Sequence, residues 1–220
     1  MIARDLITDE IPPLKPNESA LKAMSWMDEF KVSHLPVVDK REFLGLISES
    51  DILDLKSTTN SINESGVPLI NVFSYDYHHL FEVVKTLSDS NLTVIPVLNQ
   101  QDQYIGSITI TKLMKVIAEM SVVSDPGGIV ELELNVNDYS LSEVAQIVES
   151  NNAKILGSFI TSHPDSTKIQ LTFKANRNDL GAILQTFNRY NYTVTAAYDQ
   201  GNREEDMKER FDSFMKYLDI

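Results

Sequence analysis

Displaced along itself by sixty positions, the first half of this chain meets its own pattern. Leu92-Thr93-Val94-Ile95-Pro96-Val97-Leu98 falls on Val32-Ser33-His34-Leu35-Pro36-Val37-Val38, with Pro96 on Pro36. Tyr104-Ile105-Gly106-Ser107-Ile108-Thr109 then falls on Phe43-Leu44-Gly45-Leu46-Ile47, after a turn one residue longer. Ahead of each pair of apolar runs lies a stretch with helical spacing. In the first copy it is Ala20, Leu21, Ala23, Met24, Met27 and Phe30; in the second it is Leu80, Phe81, Val83, Val84 and Leu87. Each copy therefore reads as helix–strand–strand–helix. Units this small bury their apolar faces by sharing a core with a neighbour, so the repeat constrains the fold more than any other feature.

The remaining residues fit around that frame. Pro12, Pro13 and Pro16 exclude a helix and predict an extended entry, and Asn17-Glu18-Ser19 supplies helix-start chemistry. Asp39-Lys40-Arg41-Glu42 reads as a turn, Asp51 to Lys56 as the start of a closing helix, and Ile110 to Met120 as its counterpart. The polar stretch 57–66 reads as the linker between copies. A second break falls at Ser124-Asp125-Pro126-Gly127-Gly128. Beyond it, Ile129 to Val136 alternates as a strand, Leu141 to Val148 is helical behind Ser140, and two strands, Ala153 to Thr161 and Lys168 to Lys174, flank a hairpin at Pro164-Asp165-Ser166. A helix marked by Leu180, Ile183, Leu184 and Phe187 and a strand over Tyr192 to Tyr198 complete a β-α-β-β-α-β order, that of a ferredoxin-like sandwich. Arg203 to Ile220 reads as a charged helix with Met207, Phe211, Phe214 and Leu218 on one stripe, suited to docking on another surface such as a second subunit.

Charge narrows the partners. Nineteen Lys and Arg stand against 32 Asp and Glu, a formal net charge of -13 without a basic run, so nucleic acid is a poor partner. Cysteine is absent, which removes disulfides, thiolate chemistry and Cys-based zinc sites. No apolar run reaches signal-peptide or membrane-span length, and the expected location is cytoplasmic.

The chemistry concentrates at Gly45-Leu46-Ile47-Ser48-Glu49-Ser50-Asp51. Ser48 and Asp51 form an S-x-x-D pattern at a strand-to-helix corner, either an ordinary cap with a first-turn carboxylate or a place for a sugar hydroxyl and a phosphate. His34 reads equally as a structural hydrogen-bonding group or a phosphate contact. His78-His79 resembles a metal pair, but adjacent side chains diverge, and no metal site is assigned. No G-x-S-x-G, phosphate-binding loop, H-E-x-x-H or G-x-G-x-x-G occurs, so no catalytic residue is assigned and the chain is not read as an enzyme.

On these residues the chain resembles a known combination. His34-Leu35-Pro36-Val37-Val38 with Gly45 to Asp51, and Ile95-Pro96-Val97 with Gly106-Ser107-Ile108-Thr109, resemble a tandem pair of CBS domains, the Bateman module. Residues 129 to 199 resemble an ACT-type regulatory domain, and the whole is similar to bacterial acetoin-utilization-type CBS–ACT proteins. The implied fold is α+β: CBS repeats over 1–60 and 61–122, a linker at 123–128, an ACT-like domain over 129–200 and a C-terminal helix over 201–220. The resemblance implies an adenine nucleotide or related adenosyl ligand in the CBS cleft, with AMP, ADP, ATP and S-adenosylmethionine as candidates and no required cofactor. It implies that Asp51 holds ribose, that Ser48 and His34 lie near phosphate beside Pro36, and that Leu14 and Ile47 flank the base. In the second copy Thr109 and Thr111 keep hydroxyls, but Lys112 replaces the acid and Val94 the histidine. Lys112 either meets a phosphate or is solvated, and at most one good nucleoside site per chain is expected. The ACT-like part lacks a glycine in Asn137-Asp138-Tyr139-Ser140, which favours subunit pairing over amino-acid binding. The expected function is ligand-sensing regulation in a homodimer with an unidentified regulated partner. The alternative is an interaction scaffold or regulatory subunit with an empty, degenerate cleft.

Overall fold

The computed structural model describes residues 1–55, 57–162 and 167–199, in two compact units, Met1–Ile117 and Ala118–Ile220. The helix read over 201–220 and the hairpin tip at Pro164-Asp165-Ser166 lie outside the described residues.

In the first unit, α1 (Ala3–Leu6) precedes α2 (Ala20–Phe30), whose Ala20, Ala23 and Met27 are buried. Ser19 caps α2 by accepting Lys22 N–H, and Lys31 ends it in the left-handed conformation. Strands β1 (His34–Asp39) and β2 (Glu42–Ser48) form an antiparallel hairpin leading into α3 (Glu49–Leu53). After α4 (Ile62–Ser65) the plan repeats: β3 (Ser74–Tyr75), α5 (Leu80–Asp89), β4 (Val94–Leu98), β5 (Tyr104–Thr109) and α6 (Ile110–Ala118). The displacement survives in the pairing itself. Leu14 lies parallel to Val37, as Ser74 does to Val97; Val37 opposes Gly45, as Val97 opposes Gly106.

Each hairpin also receives a segment from outside its own repeat. Ile70, which leads into the second repeat, exchanges two backbone hydrogen bonds of 2.8 Å with Leu46 of β2. Thr8, which leads into the first, donates to the Ser107 carbonyl of β5 at 2.9 Å. The motif glycines make room for these crossings. A Cβ on Gly45 would lie 2.6 Å from the Leu69 Cβ, and one on Gly106 would collide with the Ile7 side chain.

Two readings of the sequence need adjusting. The helix after Ser48 covers Glu49–Leu53 rather than starting at Asp51, because Ser48 itself is the cap. The stretch 57–66 is more than a linker: it contains α4, buries Ile62, and its Asn60 and Thr58 carbonyls accept the Ala20 and Leu21 amides at the start of α2. Those amides have no partner within the helix, so the polar segment satisfies part of the α2 N-terminus.

The second unit opens with α7 (Ser121–Ser124) and then follows the β-α-β-β-α-β order: β6 (Gly128–Asn135), α8 (Leu141–Ser150), β7 (Ile155–Ser162), β8 (Lys168–Ala175), α9 (Gly181–Arg189) and β9 (Thr193–Tyr198). The sheet order is β7-β8-β6-β9, antiparallel throughout. Val130, Leu132 and Leu134 alternate into a core with Leu171 and Phe173 of β8, Val144 and Val148 of α8, and Ile183 and Phe187 of α9. The period-two strands and 3.6-period helices thus bury one apolar layer between sheet and helices.

Candidate functional site

Ser48 is the last residue of β2 and the cap of α3, so strand and helix geometry fix its hydroxyl together. The hydroxyl accepts the Asp51 backbone N–H at 3.1 Å and donates to Asp51 Oδ2; Ser50 Oγ is 3.0 Å away. Ser48 is buried and Asp51 half-buried. Asp51 Oδ1 accepts no hydrogen bond among the described residues, which leaves a partly covered carboxylate oxygen available to a donor.

Across the hairpin, His34 is the register partner of Ser48. It is half-buried, and its Nδ1 accepts the Thr93 backbone N–H at 3.3 Å and lies 3.1 Å from Thr93 Oγ1. The Thr93 hydroxyl in turn accepts the Ser33 N–H at 2.9 Å. Burial holds the imidazole below its ordinary value of 6.5, against an opposing pull from the Asp51 and Glu49 carboxylates. The sign of the stability effect follows. The unfolded chain binds this proton more readily than the folded one, so the contribution of His34 is fully present above about 6.5 and is lost as pH falls through the folded value. Urea midpoints from about pH 7.5 to about 5.5 should fall more steeply for the wild type than for His34→Asn; parallel slopes would contradict the burial effect.

The second repeat builds the same corner with different chemistry. Thr109, buried at the end of β5, accepts the Lys112 N–H at 3.0 Å, as Ser48 accepts that of Asp51. Lys112 occupies the carboxylate position, and the counterpart of His34, Val94, is fully buried among apolar side chains. Of the residues expected to bind ligand, the structure brings together Asp51, Ser48 and His34. Thr109 lies at the second corner, and Thr111 is exposed on α6. Leu14 and Ile47 are fully buried in the core and Pro36 is buried within β1. Thr93 was not singled out from the sequence; the repeat register offers one signal, since Thr93 is the image of Ser33.

Neither adjacent histidine is directed to a metal by its local bonds. His78 Nδ1 accepts the Tyr75 N–H at 3.3 Å, and His79 Nδ1 accepts the Phe81 N–H at 3.3 Å as the cap of α5. Among the described residues no group of three or more His, Asp or Glu side chains is placed to hold a metal ion. A polar cleft of about 340 Å³ lies between Ile2, Arg4, Asp76, Tyr77 and the turn Asn99–Gln101, but its charges are already matched, Arg4 Nη2 lying 2.5 Å from the buried Asp76 carboxylate. No described helix is long and apolar enough to cross a membrane.

Comparison with known proteins matches residues 3–57 and 72–119 to the family model of the CBS domain. Among solved structures, the chain is similar to a CBS domain pair/ACT domain protein from Thermotoga maritima, at 17% identity over 54% of this chain and 98% of that one, with a TM-score of 0.48. It is also similar to CBSX2 in complex with AMP, at 20% identity over 55% and 98% of the two chains, TM-score 0.48. A third similarity, to the cytosolic domain of the Mg2+ channel MgtE in complex with ATP, has 18% identity over 52% and 48%, TM-score 0.44.

Proposed function

We propose that this chain, whose residues 3–57 and 72–119 match the family model of the CBS domain, is a regulatory sensor that binds an adenosyl ligand at the Ser48–Asp51 corner. CBS-pair proteins are commonly regulators of this kind and typically not catalysts. The observation that carries the reading is the Asp51 carboxylate: half-buried, fixed through Oδ2 by Ser48, and unengaged at Oδ1 among the described residues. An oxygen held this way suits the adjacent hydroxyl donors of a ribose. The second corner, with Lys112 in place of the acid, supports one nucleoside site per chain. The ligand acts only so far as it binds two arrangements of repeats or subunits with different affinity.

The remainder of the chain is read as support for that role. Residues 129–200 are taken as an ACT-type domain serving subunit pairing in a cytoplasmic homodimer, since Asn137–Ser140 offers no glycine for a close ligand approach.

Thermal unfolding with AMP, ADP, ATP and S-adenosylmethionine tests the reading. A ligand of the native state present at 100 times its Kd adds about 2.7 kcal/mol, a shift of several degrees. AMP is expected to stabilise more than metal-free ATP, because Asp51 and Glu49 put negative charge at the corner. No shift with any of them would favour the second reading, an interaction scaffold with an empty cleft. That reading is supported by Leu14 and Ile47, which present no surface to a base.

A further inference from the structure

His34 belongs to the first repeat, yet both of its hydrogen-bond contacts come from one residue of the second. A ring nitrogen that accepts an amide N–H carries no proton, so the contact from Thr93 N–H, 3.3 Å long, favours Nδ1 as an acceptor without fixing it alone. The Thr93 hydroxyl is resolved by the same logic. Its oxygen accepts the Ser33 N–H at 2.9 Å, and with Nδ1 favoured as an acceptor by the amide, its own proton goes to Nδ1 at 3.1 Å. The neutral ring therefore carries its proton on Nε2.

We propose that Thr93 is a positioning residue for the nucleotide site: reaching across from the second repeat, it locks His34 as the Nε2–H tautomer, a hydrogen-bond donor without cationic charge. This inference deepens the nucleotide reading and rests on it for the identity of the ligand. A donor suits a phosphate oxygen, whereas the opposite tautomer would present a lone pair and repel it. Substituting the hydroxyl away leaves the amide contact but removes the second one. It also frees the Ser33 N–H. Occupancy of the first repeat's corner thereby depends on a residue 59 positions away in the other repeat.

The test reads the tautomer directly. Long-range nitrogen–proton correlation spectra of the ligand-free protein resolve the two ring nitrogens. With four histidines in the chain, His34 is assigned by its loss in His34→Gln. The wild type is expected to show a protonated Nε2 and an unprotonated Nδ1. Thr93→Val should mix the tautomers and weaken AMP binding roughly three- to tenfold, the worth of one hydrogen bond; Thr93→Ser should restore both. A protonated Nδ1 in the wild type, or a His34 spectrum unmoved in Thr93→Val, overturns the assignment. If AMP fails to bind the wild type, the nucleotide reading falls while the ligand-free spectra still decide the role of Thr93. Thr93→Ser separates loss of the hydroxyl from disturbed packing.

Discussion

Asp51→Ala is expected to abolish the thermal stabilisation by AMP and to weaken its binding by about a hundredfold or more. Hydrogen bonds to a charged acceptor are worth roughly 1.5–3 kcal/mol each, and a ribose clamp uses two. The fold should tolerate the change. Asp51 is half-buried in the first turn of a five-residue helix, and the Ser48 hydroxyl still accepts the backbone N–H of position 51. The lost interaction with the helix dipole costs roughly 0.3–1 kcal/mol. Calorimetry should give one ligand per chain for the wild type and no measurable heat for the variant at the same concentration. Equal affinity in the two proteins would remove Asp51 from the site.

A larger effect on stability is expected at Gly45. Its φ of +145° is one that side chains rarely adopt, and an added Cβ would sit 2.6 Å from the Leu69 Cβ and 3.3 Å from the Ile70 carbonyl oxygen. The obstruction is backbone and the first side-chain carbon, neither of which can rotate aside. Gly45→Ala must push Leu69 and Ile70 off β2, losing the paired hydrogen bonds between Ile70 and Leu46. Roughly 2–4 kcal/mol follows from the strain and the lost packing. Urea unfolding of the first unit should show a lower midpoint at unchanged slope. A midpoint within error of the wild type would mean that the segment yields without cost.

The repeat was legible in the sequence because its signals are local. Pro36 and Pro96, the glycines within the second strands, and the helical spacing of Ala20 to Phe30 each act within one element. The S-x-x-D cap was legible for the same reason, although the helix begins two residues earlier than expected. What stayed hidden depends on distant backbone. The amides of Ala20 and Leu21 find carbonyls in the polar stretch after α3, and a backbone carbonyl leaves no trace in residue type. Leu14 and Ile47 were expected beside a ligand because apolar strand residues near a motif serve either a core or a base; burial among Leu35, Val37 and Val94 puts them in the core. The contact between His34 and Thr93 joins two loop-to-strand junctions that no periodicity links.

The crossing of the lead-in segments has a consequence for how such a module can be divided. Thr8 completes a sheet built from residues 74–109, and Ile70 completes one built from residues 14–48. A cut through the polar stretch between them therefore yields no self-sufficient piece, since each half keeps a bridging segment that belongs to the other and lacks one of its own. The two copies are separable on paper by a line at one position, but in space they are interlocked, and only the intact pair is a transferable part.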